Sequence, residues 1–246
     1  MPSQSAKISM LGDREENQDR VQIVEADGAA LLIAIDGMGG HSGGAAAAQL
    51  AVETIQQAFE AQPHPVFDPQ GFLHMAIGQA HAAIVRMGAE LSVEARPRAT
   101  CALCLIQDGA AYWAHIGDSR VYHLRGNEVH DRTRDHSHVE VLLYDGAITL
   151  EQLANHPLRN YVECCMGGYA ELPRMSISTQ KHLARGDVML VCSDGFWSPL
   201  EDEQLAQLGA ANGALTDMLN ELGEAAIRAA SPHSDNTSAA AYSFAG

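Results

Sequence analysis

Short runs of β-branched and large apolar residues recur along the chain, and each run ends in a turn signal. The runs predict strands at 21–24, 31–35, 100–106, 111–116, 120–124 and 188–192, and a last strand at 239–244. Only four residues separate 100–106 from 111–116, which is a connection of hairpin length. The pattern therefore indicates antiparallel sheets.

Three longer segments repeat apolar residues at helical spacing. They predict helices at 44–62, from Asp68 onwards, and at 215–229. Asp68 is followed by Pro69, and this pair is a good helix start, because aspartate caps a helix and proline suits its first position. Thr149 and Gln152 resemble the capping box of a further short helix.

The order of these elements predicts the fold class. Strands, a helix pair, more strands and a helix follow one another without a linker, a repeat or a low-complexity segment. Such an order is typical of an α+β layered domain. We predict a central antiparallel β-sandwich flanked by α-helices on both faces, in a single domain covering 1–246.

Composition narrows the classes of partner. The 246 residues include 31 acidic and 15 basic ones, and the formal charge of −16 repels nucleic-acid and anionic lipid phosphates. No stretch approaches the roughly 18 unbroken apolar residues of a membrane span, and the first residues lack a signal-peptide core. We expect a cytoplasmic protein with no nucleic-acid or membrane partner, whose cysteines, including the adjacent Cys164 and Cys165, stay reduced.

Aspartates stand where apolar strands leave the core. Asp36 and Asp194 each follow a predicted strand and precede a glycine, Asp118 follows another strand, and Asp235 precedes the last one. Asp-Gly is also ordinary turn chemistry, so each pair alone permits either interpretation. In a shared sandwich the carboxylates can converge, and two of them about 4 Å apart repel by roughly 4 kcal/mol at an effective dielectric near 20. A convergent cluster therefore needs protons or cations, and oxygen ligands select Mg²⁺ or Mn²⁺.

Two such ions suit hydrolysis at phosphorus. A pair about 3.5–4 Å apart activates water and clamps the attacking and leaving oxygens of an in-line displacement. Phosphate monoesters need accelerations of up to about 10²¹, whereas one general acid supplies only about 10²–10⁴. The metals would have to supply most of the rate.

Five motifs occur in order along the chain: GDREENQD at 12–19, DGMGGH at 36–41, GDSR at 117–120, CSDG at 192–195 and DN at 235–236. With these motifs the chain resembles the metal-dependent PPM protein serine/threonine phosphatases, the type 2C family, and DGMGGH resembles its compact bacterial branch. The resemblance implies a β-sandwich with two helices on each outer face. It also implies a binuclear Mn²⁺ or Mg²⁺ centre that hydrolyses phosphoserine and phosphothreonine on proteins.

The resemblance assigns metal roles to six positions. Asp36 would bridge the two ions, and Gly37 would offer its carbonyl oxygen to one of them. The other implied ligands, direct or through water, are Asp19, Asp194, Asp235 and, at a third and weaker metal site, Asp118.

Two further residues are candidates for catalysis. Arg14 resembles the family's phosphate-binding arginine, whose planar guanidinium suits bidentate contact; the alternative is a surface ion pair with Glu15 or Glu16. His41 is the candidate general acid for the leaving oxygen, although Met38 stands where the animal enzymes carry their histidine.

Other positions have supporting roles in this interpretation. Asn236 orients Asp235 or its waters, or else is a plain turn asparagine. The segment 145–168 corresponds to the flap beside the active site, where Cys164 occupies the usual arginine position. This departure affects substrate choice.

The implied partners are phosphorylated proteins and a cognate eukaryotic-like Ser/Thr kinase, whose action the chain would reverse as a monomer. Two other functions remain open. One is a phosphoprotein-binding regulatory domain that has lost turnover, against which the full set of metal aspartates argues. The other is a hydrolase of small phosphorylated metabolites, which the absence of a separate substrate-binding domain disfavours.

Overall fold

Two antiparallel sheets form the centre of the structure, a computed structural model that describes residues 3–39, 43–149, 151–152, 156–158, 161–211 and 214–246. The described strands, β1 to β13 in chain order, are Gln4–Met10, Asp19–Ala26, Ala29–Met38, Arg98–Ala99, Cys101–Gln107, Ala110–Ile116, Arg120–Arg125, Glu128–Arg132, Met166–Gly167, Ser176–Ile177, Lys181–His182, Val188–Cys192 and Thr237–Ser243. A five-stranded sheet has the order β1-β13-β12-β7-β8. An eight-stranded sheet has the order β10-β6-β5-β3-β4-β9, with β2 paired to β3 and β11 to β6.

Helices cover both outer faces of this sandwich, as predicted. The described α-helices, α1 to α6, are Gly43–Glu60, Pro69–Met87, His138–Tyr144, Asp194–Trp197, Asp202–Ala206 and Leu215–Ala230. α1 and α2 pack on the eight-stranded sheet, and α6 packs on β1 and β13 of the other sheet. None of the helices in the described ranges combines the length and apolar character needed to cross a membrane.

The face of the five-stranded sheet differs from what the family resemblance implies. Among the described residues it carries one long helix, α6, and the chain before that helix forms α4, α5 and a 3₁₀ turn at Gln207–Ala210. Pro199 follows α4 closely, and proline lacks the N–H donor that a continuing helix would need at this position. The segment therefore stays in short pieces.

Short sequence motifs correctly predict the start of α2 and a capping box between Thr149 and Gln152. The side chain of Asp68 accepts a hydrogen bond from Gly71 N at 3.0 Å, and Pro69 begins α2. Thr149 and Gln152 exchange the two hydrogen bonds of a capping box, at 2.8 and 3.3 Å. The predicted strand 100–106 is shifted, however: Thr100 separates β4 from β5, and its hydroxyl lies 2.6 Å from Ser119 Oγ.

Three apolar layers hold the sandwich together. Successive side chains of β3 point to opposite faces, so Leu31 and Ile33 pack under α1 and α2, whereas Leu32 and Ala34 pack between the sheets. A third layer lies under α6, where Leu219 is buried. Because both faces of β3 are covered, its end is fixed in position.

Shortening a buried side chain on either face of β3 should therefore destabilise the protein. Leu31→Ala and Leu32→Ala each remove a fully buried side chain, and each should lower the free energy of unfolding by about 2–5 kcal/mol in urea titrations. Leu91, which is 46% exposed, provides the control, and Leu91→Ala should change it by less than about 0.5 kcal/mol. A large loss at only one of the two β3 positions would contradict the two-sided burial.

Candidate metal centre

Two aspartates of the eight-stranded sheet face each other at its edge. Asp19 begins β2, Asp36 lies near the end of β3, and the two are directly opposite in the antiparallel register. Opposed residues have Cβ atoms about 4.5–5.5 Å apart, and like charges there destabilise a sheet. The register therefore brings two carboxylates to one point.

The other sheet brings two more carboxylates to the same edge. Cys192 at the end of β12 pairs with Ala239 near the start of β13. Asp194, just after β12, and Asp235, just before β13, therefore lie at one end of this sheet. Ser193 Oγ donates a 2.6 Å hydrogen bond to Asp19 Oδ2, which links the two sheets at this edge.

Asp118 lies in the turn from β6 to β7, where the chain passes from one sheet to the other. Its side chain is buried, and Oδ1 has no hydrogen-bond partner among the described residues. A buried polar atom without a partner costs about 1–3 kcal/mol. The unpaired oxygen therefore indicates a ligand that the protein itself does not provide.

The indole of Trp197 braces this turn. Its Nε1 donates to the Asp118 carbonyl oxygen at 2.9 Å, and the Arg120 guanidinium lies 3.2 Å from the ring centre. Arg120 is fixed in turn by a bidentate contact with Asp135, at 2.7 and 2.8 Å. Because Trp197 ends α4 and Asp194 begins it, one packed unit positions both Asp118 and Asp194.

Four of the predicted aspartates line one cleft of about 660 Å³, together with Arg14 and Gly37. Its acidic lining residues from the predicted set are Asp36, Asp118, Asp194 and Asp235. Asp19 is 2% exposed and lies behind the lining. A Cβ at Gly37 would come within 2.1 Å of the Gly44 carbonyl oxygen, so only glycine permits β3 to approach α1 this closely.

Burial and mutual repulsion disfavour ionisation of these carboxyl groups. Burial, together with the charges of Asp194 and Asp235, raises the pKa of Asp19 to about 7. Burial and the charge of Asp235 raise the pKa of Asp194 to about 6. For Asp36 and Asp118 the same two causes, burial first, raise the pKa well above its ordinary value. Without cations the cluster favours protons.

Arg14 lies at the rim of the cleft. It pairs with Asp235 and not with Glu15 or Glu16, the alternative partners suggested by the sequence. Its Nη2 donates to Asp235 Oδ2 at 2.8 Å, in an ion pair whose arginine side chain is 57% exposed. Exposed ion pairs contribute about 0–1 kcal/mol. The guanidinium can therefore exchange Asp235 for another anion at little cost.

Asn236 has a larger role than sequence reasoning indicated. Its backbone N–H donates to Asp235 Oδ1 at 2.8 Å, which orients that carboxylate as predicted. Its side chain also accepts from Gln18 N at 2.8 Å and donates to the carbonyl oxygens of Leu11 and Glu16, at 2.9 and 3.0 Å. These bonds hold the loop that carries Arg14. The DN motif was enough to predict that Asn236 matters, but it gives no information about these distant hydrogen-bond partners.

A histidine supports the turn of Asp118, and one predicted site residue lies outside the described ranges. His136 Nδ1 accepts from Gly117 N at 3.3 Å and its ring stacks on His115, so it supports the turn of Asp118. His41, the predicted general acid, lies outside the described residues.

The donor set fits hard cations. Within the described part of the chain, no three acidic, histidine or cysteine side chains lie together in a position to hold a metal ion. Mg²⁺ does not need three such side chains, since it keeps several waters and binds one or two carboxylates. The carboxylates, the Gly37 carbonyl and the unpaired Asp118 Oδ1 offer only oxygen, the donor preferred by Mg²⁺ and Mn²⁺.

The raised pKa values predict how the metal-free protein responds to pH. The folded protein keeps protons on Asp194 and Asp19 that the unfolded chain releases near pH 4, so their contribution is complete below about pH 4. It is lost as the pH rises through about 6 for Asp194 and about 7 for Asp19. These carboxyl groups should therefore make the free energy of unfolding fall between about pH 5 and pH 8, against the opposite trend that the lowered pKa values of His115, His123 and His136 produce at the acidic end of this range.

Urea titrations in a chelator measure this slope. Asp19→Asn should reduce it, while Asp27→Asn in the exposed β2–β3 turn should leave it unchanged. Saturating Mg²⁺ should remove it, because bound cations favour the ionised carboxylates. Equal slopes for the wild type and Asp19→Asn without metal would refute the assignment of repulsion to this edge.

The loop that carries Arg14 should depend on Asn236. Asn236→Ala removes three side-chain hydrogen bonds, and each contributes about 0.5–1.5 kcal/mol. Faster proteolysis within residues 11–18 and a loss of about 2–3 kcal/mol in unfolding free energy should follow. Asn127→Ala, in an exposed hairpin turn, is the matched control, and equal behaviour of the two variants would count against this role.

The chain is similar to known protein phosphatases. The family model for protein phosphatase 2C matches residues 9–231, a segment that ends just before Asp235. The serine/threonine protein phosphatase PstP of Mycobacterium tuberculosis is 31% identical over 195 residues, which are 79% of this chain and 36% of PstP. The chain thus spans about a third of that relative's length. Protein phosphatase PhpP of Streptococcus pneumoniae is 31% identical over 222 residues, covering 88% of this chain and 89% of PhpP.

A solved structure with the same fold contains bound metal. The catalytic domain of a serine/threonine protein phosphatase PstP, in complex with two manganese ions, superposes with a TM-score of 0.80 at 26% identity, covering 99% of each chain. The predicted fold and family are therefore confirmed. On its sequence motifs, its sandwich and the edge where its carboxylates meet, the chain belongs to the protein phosphatase 2C family.

Proposed function

We propose that this chain is a metal-dependent protein serine/threonine phosphatase that acts through a binuclear Mn²⁺ or Mg²⁺ centre. The observation that carries the proposal is the convergence of carboxylates from both sheets on one cleft, with Asp118 Oδ1 buried and unpaired among the described residues. Family membership and the names of PstP and PhpP give the same reaction class.

The aspartate edge would hold the ions. Asp36 and the Gly37 carbonyl would bind the central pair, with Asp19, Asp194 and Asp235 as further ligands, directly or through water. Asp118 would serve a third and weaker site. When bound, the ions would activate water and neutralise the charge that builds up on the phosphoryl oxygens.

The chain's own residues would bind and orient the substrate. Arg14 would leave Asp235 and take two phosphoryl oxygens on its guanidinium, since planar bidentate contacts favour arginine. Asn236 would keep the Arg14 loop in place, and Ser193 would hold the Asp19 carboxylate against the edge. His41 is our candidate for donating a proton to the leaving serine or threonine oxygen.

The substrate class follows from the same relatives. Phosphorylated proteins are the proposed substrates, and a cognate eukaryotic-like Ser/Thr kinase would be the enzyme whose action this chain reverses. We propose that 1–246 works as a single catalytic domain and a monomer, with the flap at 145–168 beside the cleft. Loss of the chain should then raise phosphothreonine on a defined set of proteins.

Turnover assays test the proposal directly. With Mn²⁺ the purified chain should hydrolyse p-nitrophenyl phosphate and a phosphothreonine peptide, and a chelator should stop both reactions. Asp36→Asn should lower the rate by at least about 100-fold, because metal ions contribute several kcal/mol to the transition state. Asp27→Asn removes the same charge from the exposed β2–β3 turn and should retain the wild-type rate.

Two results would favour the rival functions. Background rates in every sample, wild type included, would indicate a phosphoprotein-binding domain without turnover. Faster hydrolysis of sugar phosphates than of phosphopeptides would indicate a metabolite phosphatase.

A further inference from the structure

A second concavity adjoins the aspartate cleft, and we name it the arginine groove. It encloses about 750 Å³ and shares Met38, Gly39 and Val162 with the cleft. Arg96 and Arg98 come from the β4 side, and Arg174 comes from the segment after β9. A polypeptide whose phosphorylated residue occupies the cleft would therefore continue into the groove.

The three arginines keep their charge available. None of their guanidinium groups has a carboxylate within salt-bridge distance in the described ranges. Arg96 Nη1 donates to the Gly168 carbonyl at 3.0 Å, and Arg98 Nη2 donates to the Val93 carbonyl at 3.1 Å. Backbone carbonyls fix these side chains without neutralising them. Each guanidinium has five N–H donors, so others remain for an anion.

Burial gives these cations an advantage over the nearby acids. Glu94, Glu163 and Glu171 also line the groove, but all three are exposed, and Glu163 contacts His138 at 3.2 Å. Water and salt screen exposed charges strongly and partly buried ones much less. Arg96 and Arg98 are half-buried, so the potential inside the groove is set mainly by them.

Apolar side chains at the rim suit a polypeptide rather than a lone ion. Tyr161 is 60% exposed, Tyr169 63% and Leu172 43%, and all three line the groove. Tyrosine gives large contact areas at a low entropic cost. An extended peptide can place apolar atoms on these rings while its charged side chains meet the arginines.

We propose that the arginine groove binds the carboxylate side chains of an acidic segment next to the phosphorylated residue of the substrate protein. This inference rests on the proposed phosphatase function and adds a substrate preference to it. The net charge of −16 would otherwise repel acidic substrates. The groove provides local attraction where the substrate is held.

Three phosphothreonine peptides that differ only in their flanking residues test this preference. One carries aspartates, one serines and one lysines. Because exposed ion pairs each contribute a factor of about 2–5, the wild type should show a kcat/KM about 10-fold higher for the acidic than for the serine peptide, mostly through KM. The preference should weaken as ionic strength rises.

Charge reversal identifies the residues responsible. Arg174 is exposed, so Arg174→Glu should fold, and it should lower the acidic-to-lysine ratio. Arg98→Gln, which keeps a donor for the Val93 carbonyl, should reduce the same ratio. Arg185→Glu is the matched control: it makes the same charge change at an exposed site just before β12, at the end opposite Asp194, and should keep the wild-type ratio. Because each ratio is taken within one variant, changes in basal turnover cancel.

Binding without turnover separates the two proposals. Fluorescence anisotropy of the same peptides on Asp36→Asn reports the groove even if the chain has no phosphatase activity. Preference for the acidic peptide there, lost in Asp36→Asn combined with Arg174→Glu, supports the groove whatever the turnover assays give. Equal binding and equal kcat/KM for the three peptides, or a ratio that both Arg98→Gln and Arg174→Glu leave unchanged, would overturn it.

Discussion

Electrostatic repulsion at one edge of the sandwich is the constraint on which the site depends. The two strands that carry Asp19 and Asp36 are in direct register, and Asp194 and Asp235 meet the same edge from the other sheet. Buried like charges raise one another's pKa unless a cation is present. The fold therefore holds an unfavourable arrangement that a bound divalent cation would relieve, and part of the proposed metal affinity would come from that relief.

The scaffold sustains this arrangement by fixing the carboxylates from behind. Apolar layers pack on both faces of β3, and this packing keeps the end of the strand, with Asp36, from moving away from its neighbours. Ser193 connects the sheets through Asp19, Asn236 anchors the loop of Arg14, and Trp197 holds the turn of Asp118. Side chains that are already fixed by such contacts lose less conformational freedom when an ion or a phosphate binds. At the rim the contact is weaker, because among the described residues the Arg14 side chain is held by one exposed ion pair.

Much of this could be predicted from the sequence, because the signals were local. Asp68 and Pro69 fixed the start of α2, and strands that end in Asp-Gly gave Asp36 and Asp194. The long-range contacts could not be predicted. Asn236 bonds to residues more than 200 positions away, and Ser193 finds Asp19 only once the two sheets pack. The arginine groove was equally invisible, because its cations come from separate segments joined only by the fold.

Diffraction from crystals grown with Mn²⁺ and recorded at the manganese absorption edge would test the central claim most directly. Anomalous difference density locates manganese without reference to activity or to the family. Our account predicts two strong peaks in the cleft, both within coordination distance of Asp36 and each reaching at least one further carboxylate of the edge. Well-ordered crystals without an anomalous peak near Asp36, or with manganese bound only elsewhere, would contradict it.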